Sequence, residues 1–244
     1  LSGAVRYIMR KPDLESRSGR ISGSFSDSEY SSGSNYSGSI TYNQPLSSTF
    51  AVRINGTIND FAGVTDYRNL YVLDANGIPE APSGVLSNDA SYYTKKDADS
   101  FKQNYGRISM LWQPNDKMDF TLSYMAQSDD AGGRRASTPG ADGYGVPYKD
   151  FEVGSIQLEP SERDVYLTSL EANFDVGFAT LTSSTAYYNN EGNITSENTG
   201  FYAQNGWLGA WYYNYPRPMA TAYREFGDEA FTQELRLVSN PGEK

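Results

Sequence analysis

The chain predicts an all-β protein whose antiparallel strands form part of a transmembrane β-barrel, and three observations lead there. Apolar and polar residues alternate with a period of two in several separate stretches. Short turns alternate strictly with much longer connections, a spacing that matches the two ends of an outer-membrane barrel. No run of about 18 apolar residues exists to make a spanning helix, whereas a barrel strand needs only about 10 alternating ones.

The elements follow in order. A first strand is expected near residues 20–26. A hairpin comes next: Tyr36, Gly38, Ile40 and Tyr42 share one face, a Pro45-containing turn follows over residues 43–48, and Phe50, Val52, Ile54, Gly56 and Ile58 share a face on the return strand. The opposite face there carries Arg53, Asn55, Thr57 and Asn59. A second hairpin sets Gly106, Ile108, Met110 and Trp112 against Phe120, Leu122 and Tyr124 around a turn at residues 113–116. A third, over residues 164–188, turns near Gly177, and a last strand spans residues 231–238. About eight strands result. The intervening segments, residues 63–102, 127–163 and 189–230, are rich in Gly, Pro, Asp, Asn and Tyr and read as long structureless loops. Compact soluble domains seldom carry several such loops. Aromatic residues near the ends of the apolar faces (Tyr36, Phe50, Trp112, Phe120, Tyr166, Phe174) fit the girdles of a membrane-water boundary. Two rival architectures remain: a soluble sandwich or solenoid, and a closed eight-stranded barrel.

Composition narrows the chemistry. With no cysteine and no histidine among 244 residues, the chain holds no thiol nucleophile, disulfide, imidazole base or Cys/His zinc site. No catalytic residue, cofactor or metal ligand is assigned, and the protein is expected not to be an enzyme. The 20 basic and 30 acidic residues give a net charge of −10, which opposes a phosphate backbone, so no nucleic acid is expected as a partner. The carboxylate pairs Asp97/Asp99, Asp129/Asp130 and Asp228/Glu229 read as solvated loop charge, and Asp74-Ala75-Asn76-Gly77 reads as a turn and not as the start of a calcium loop.

One segment asks for a use. Residues 201–218 crowd Tyr202, Trp207, Trp211 and Tyr212 together with Arg217; flat rings stack on sugars or aromatic ligands, and the guanidinium suits an anion, so these five are the candidate ligand contacts. Arg134 and Arg135 are further candidates for gripping an anion. On the polar strand faces, Arg53, Arg107, Glu171, Glu234 and Arg236 are expected to face an enclosed lumen and to hold whatever fills it through paired hydrogen bonds.

Two short stretches resemble a known family. Residues 1–12, with Gly3, Ala4, Val5, Ile8, Lys11 and Pro12, resemble the closing segment of the plug domain in TonB-dependent outer-membrane receptors. Phe231-Thr232-Gln233-Glu234-Leu235-Arg236-Leu237-Val238-Ser239 resembles a barrel strand recurrent in the same receptors. The resemblance implies that residues 1–12 end a plug and that residues 13–244 form the first part of a barrel of about 22 strands. Because the chain starts at Leu1 without a leader and stops after a turn, it reads as a fragment. The implied function is active uptake of a bulky extracellular nutrient, first a ferric siderophore, then cobalamin or a glycan. The implied partners are outer-membrane lipid, that ligand, and the TonB complex acting through plug parts outside this chain; the implied location is the outer membrane of a Gram-negative bacterium. A passive porin or small barrel, and a soluble all-β carbohydrate-binding module, are the competing functions.

Overall fold

The computed structural model describes residues 9–202, 216 and 218–240. The elements in chain order are β1 (Ser18–Asp27), β2 (Ser34–Ser47), β3 (Phe50–Phe61), β4 (Asp66–Tyr71), α1 (Leu86–Asp89), β5 (Tyr92–Lys95), β6 (Phe101–Asn115), β7 (Met118–Ala131), β8 (Glu152–Val153), β9 (Ser161–Asp175), β10 (Ala179–Glu197), α2 (Thr199–Tyr202) and β11 (Thr221–Ser239). The chain is all-β. Eight strands form one antiparallel sheet in the order β1-β2-β3-β6-β7-β9-β10-β11, and β5-β4-β8 form a second, small sheet. The large sheet is open, with β1 and β11 at its two edges, so the closed eight-stranded barrel is ruled out as the form of this chain.

Alternation sets the strands, and turn chemistry ends them. Between β9 and β10, Gly177 takes φ +92° and Asp175 Oδ1 accepts its N–H at 2.8 Å, a conformation that favours glycine. Between β6 and β7, Asn115 Oδ1 accepts the Lys117 N–H. Strands overrun the expected turns at Pro45 and at Gln113-Pro114, and a register irregularity between Pro45 and Ser47 absorbs the proline. At the other end β10 and β11 are 19 residues each, so much of the expected 189–230 loop is ladder.

The two faces of the large sheet are inverted relative to a soluble protein. Ile21 (81%), Ile58 (63%) and Leu235 (69%) stand open, while Ser109 (0%), Thr121 (6%) and Arg53 (8%) on the opposite face are buried. No second layer covers the greasy face among the described residues, which removes the sandwich. On that face the band, broken by Thr168, Ser183, Thr185 and Gln233, ends toward the long-loop side at a polar residue whose level steps down across the sheet. It is Asp27 opposite Ser34 in β1 and β2, one alternation beyond the Phe25–Tyr36 pair, and Asp60, opposite Tyr36, in β3. It is Asn104, opposite Ile58, in β6, and stays level at Ser128 and Asp164. It drops again to Asn189, opposite Tyr166, and its partner Glu229 in β11. The fall is about six residues, or ~20 Å, over seven inter-strand steps of ~4.8 Å, so the strands lean roughly 30° from the normal to the apolar band.

The long connections are not structureless. Residues 62–100 carry β4, α1 and β5, and residues 132–160 carry β8, which pairs in parallel with β4 through Asp66–Glu152 and Tyr67–Val153. Tyr67, Leu70, Ala98 and Val153 make their shared core, with Ala136 and Leu158 packed against it. The loops therefore form a subdomain at the end of the sheet opposite the short turns.

Candidate functional site

Arg68 on β4 ties the loops together. Its guanidinium bonds to Asp142 and Glu152, both at 3.0 Å, donates to the carbonyls of Val146 and Pro147, and lies 4.4 Å from the centre of the Tyr148 ring. The Asp142 it grips closes a turn: Asp142 Oδ1 accepts the N–H groups of Tyr144 and Val146, both at 2.9 Å. The amides, led by that of Val146, together with Asn69 and Arg68, outweigh burial and hold this carboxyl below its usual range. The same turn occurs at Asp74, whose Oδ1 accepts from Asn76 and Ile78; Gly77 and Gly145 take φ +74° and +79°. Asp-x-x-Gly-Ile/Val-Pro is thus used twice, at residues 74–79 and 142–147.

Beside this knot lies a cleft of about 800 Å³ bounded by all three long loops, with Tyr71, Tyr92, Tyr144, Tyr148, Glu197 and Pro216 among its walls. The Tyr71 and Tyr92 rings stack at 5.0 Å and 29°. Burial, then the neighbouring phenols of Tyr71 and Tyr144, push the Tyr92 pKa up. The three loops join around the cleft: the Tyr71 N–H donates to the Ile156 carbonyl and the Leu86 N–H to the Pro216 carbonyl, both at 2.9 Å, and the Glu197 N–H donates to Glu159 Oε1. Cavities of this size with a few convergent polar groups are where small ligands bind.

Of the five candidate ligand contacts, Tyr202 lies at the end of α2, its ring 5.5 Å from that of Phe201, next to Thr199 and Gly200 in the cleft wall. Trp207, Trp211, Tyr212 and Arg217 lie outside the described residues. Tyr71, Tyr92 and Tyr144 were not singled out by sequence reasoning; the recurring Asp-x-x-Gly-Ile/Val-Pro was the available signal for the last of them. Arg134 and Arg135 are committed within the loops, to Glu159 at 3.3 Å and Asp99 at 2.7 Å. Asp99 is not solvated charge as expected: it is 5% exposed and also accepts the N–H groups of Val64 and Thr65 at 2.7 Å.

Arg53, Arg107, Glu171, Glu234 and Arg236 share one face of the large sheet. Glu171, Glu234 and Arg236 line one depression with Thr182 and Ser184. Arg107 donates to Ser123 at 3.2 Å, and Arg53 is buried on the same face. The segment ahead of β1 lies against this face too. Lys11 pairs with Glu171 at 2.6 Å and Asp119 at 3.4 Å, and the fully buried Asn43 side chain bonds to both the N–H and the carbonyl of Asp13 and to the Ser16 carbonyl.

Comparison of the chain with protein-family models, with curated proteins and with solved structures finds no match.

Proposed function

We propose that this chain is part of an outer-membrane receptor of the TonB-dependent kind, which captures a bulky nutrient with its long loops and passes it inward past a plug. The inverted sheet carries this reading. Leaving Ile58, Phe231 or Leu235 in water forgoes about 1.5–3 kcal/mol of burial for each side chain, and lipid is the partner that recovers it along a whole face. The apolar band on β3 runs from Phe50 to Ile58, ~26 Å along the strand and ~23 Å once the lean is included, close to the ~25 Å outer band of such barrels. Trp112, Phe120 and Phe174, in ring contact at 5.3 and 5.6 Å, mark its short-turn rim. Lys11, which belongs to the plug-like stretch, lies on the polar face, where a plug would be held.

This chain contains no cysteine, so within it a single introduced cysteine marks one position. In the whole protein in liposomes, nitroxide labels at Ile58→Cys, Leu170→Cys and Leu235→Cys relax with lipid-soluble oxygen, while labels at Thr57→Cys and Ser184→Cys respond to a water-soluble nickel chelate. Uniform response to the nickel chelate on both faces would end the membrane reading.

A further inference from the structure

Two guanidiniums on the polar face of the large sheet have no counter-ion in contact among the described residues. Arg53 on β3 lies opposite Ser109, and Arg107 on β6 lies opposite Asn55, so the two are diagonal neighbours on adjacent strands and within reach of each other. Arg53 is only 8% exposed, yet no acceptor among the described residues bonds to its guanidinium. Arg107 donates to Ser123 Oγ at 3.2 Å, a neutral hydroxyl that Ser109 shares at 2.8 Å. The charges that act on Arg53 are those of Arg10, Arg107 and Asp13, two further cations against one carboxylate. The Asp13 carboxylate is turned to its own loop, where it accepts the N–H groups of Glu15 and Ser16 and the Ser16 hydroxyl. Asp119 and Glu171, the acids of this face on β7 and β9, are held by Lys11 and Asn173. A guanidinium taken out of water without an anion is unfavourable, and a second cation beside it makes it more so. One carboxylate between the two would satisfy both, because its two oxygens match the N–H fork of arginine.

The source of that carboxylate follows from what already covers the face. Asn43, directly opposite Arg53 across the ladder, is fully buried and bonds to Asp13 and Ser16, so the segment ahead of β1 runs over this corner. Lys11 of the same segment pairs with Glu171 and Asp119, which matches charge between this polypeptide and the sheet. Residues 1–8 include no Asp or Glu. Resting on the receptor reading above, we propose that Arg53 and Arg107 together bind a carboxylate side chain of the plug, carried by polypeptide ahead of Leu1, and that this ion pair fastens the plug to the short-turn half of the sheet.

The test uses the whole protein in detergent micelles and a water-soluble carbodiimide, which joins an amine to a carboxylate when the two are in contact. Arg53→Lys supplies an amine at the site, and Arg107→Lys supplies one from the neighbouring strand should the first variant fold poorly. Peptide mass spectrometry is expected to find each new amine joined to an Asp or Glu ahead of Leu1, at a yield at least tenfold above that of Arg224→Lys at the long-loop end. The Lys11–Glu171 pair, 2.6 Å apart, should be joined in the same digest and marks reaction on this face. A joint to Asp13 or to any other carboxylate of residues 9–240, or none at either position, overturns the proposal. Inorganic phosphate binding that Arg53→Gln abolishes, with no joint formed, would assign the site to a free anion and overturn it too. The spin-label result is separate: lipid-facing labels without the upstream joint sink the ion pair alone, and the joint with both faces in water sinks the membrane reading alone.

Discussion

Single side chains in the loop subdomain show how charge is spent on architecture. Burial raises the pKa of Asp99, but the Arg135 guanidinium and the amides of Thr65 and Val64 outweigh it and hold the carboxyl below its ordinary range. A carboxylate depressed on folding stabilises the fold at every pH above its unfolded value, about 4, and that contribution is lost as pH falls through the lower folded value. Hydrogen exchange should therefore find the Val64 and Thr65 amides protected at pH 7 and opening progressively below about pH 4. In Asp99→Asn that acid-dependent loss of protection should be absent. An unchanged pH profile in the variant would show that another group governs the acid opening. Tyr67 makes the same point for a neutral group: burial and the neighbouring Glu159 carboxylate push its phenol up to about 12, so it stays a hydrogen-bonding strut to Arg134 at any physiological pH.

At the scale of elements, the ladder between β9 and β10 depends on a missing side chain. A Cβ on Gly192 would sit 2.3 Å from the Glu162 carbonyl oxygen and 2.7 Å from Phe226 Cζ. Gly192→Ala should destabilise the folded form by about 1–3 kcal/mol, read as a lowered urea midpoint in detergent. Gly227→Ala, with open space around it, should leave the midpoint near wild type. Equal midpoints for the two variants would refute the close approach. The eight long strands were legible where alternation is strict, as at Phe50 to Asn59, which needs no partner to be recognised, but the long-loop ends of β10 and β11, within residues 189–230, lack that alternation and read as loop. The small sheet was not, since Tyr67, Leu70, Ala98 and Val153 are buried only by one another and come from segments distant in sequence. The cleft was hidden for the same reason: Tyr71, Tyr92 and Tyr144 belong to three stretches without periodicity, and only the fold brings their hydroxyls together. The expectation for residues 201–218 rested on composition, and of the five contacts named there only Tyr202 falls among the described residues.

For the molecule as a whole, the stepped polar limit sets how the sheet would stand in a bilayer on the reading proposed above. Polarised infrared spectra of oriented membranes should give a mean strand tilt near 30°; strands upright within about 10° would contradict the register argument. The same step leaves the rim uneven. With the band seated in lipid, β1 and β2 end flush with the headgroups at Asp27 and Ser34, whereas β11 continues outward from Glu229 to Thr221, ~26 Å of hydrogen-bonded ribbon. On the membrane reading proposed above, the tip of that ribbon at Glu197 and Thr221 would stand like a mast clear of the headgroups, while the β1–β2 hairpin would stop at their surface, so a solute would approach from the hairpin's flank.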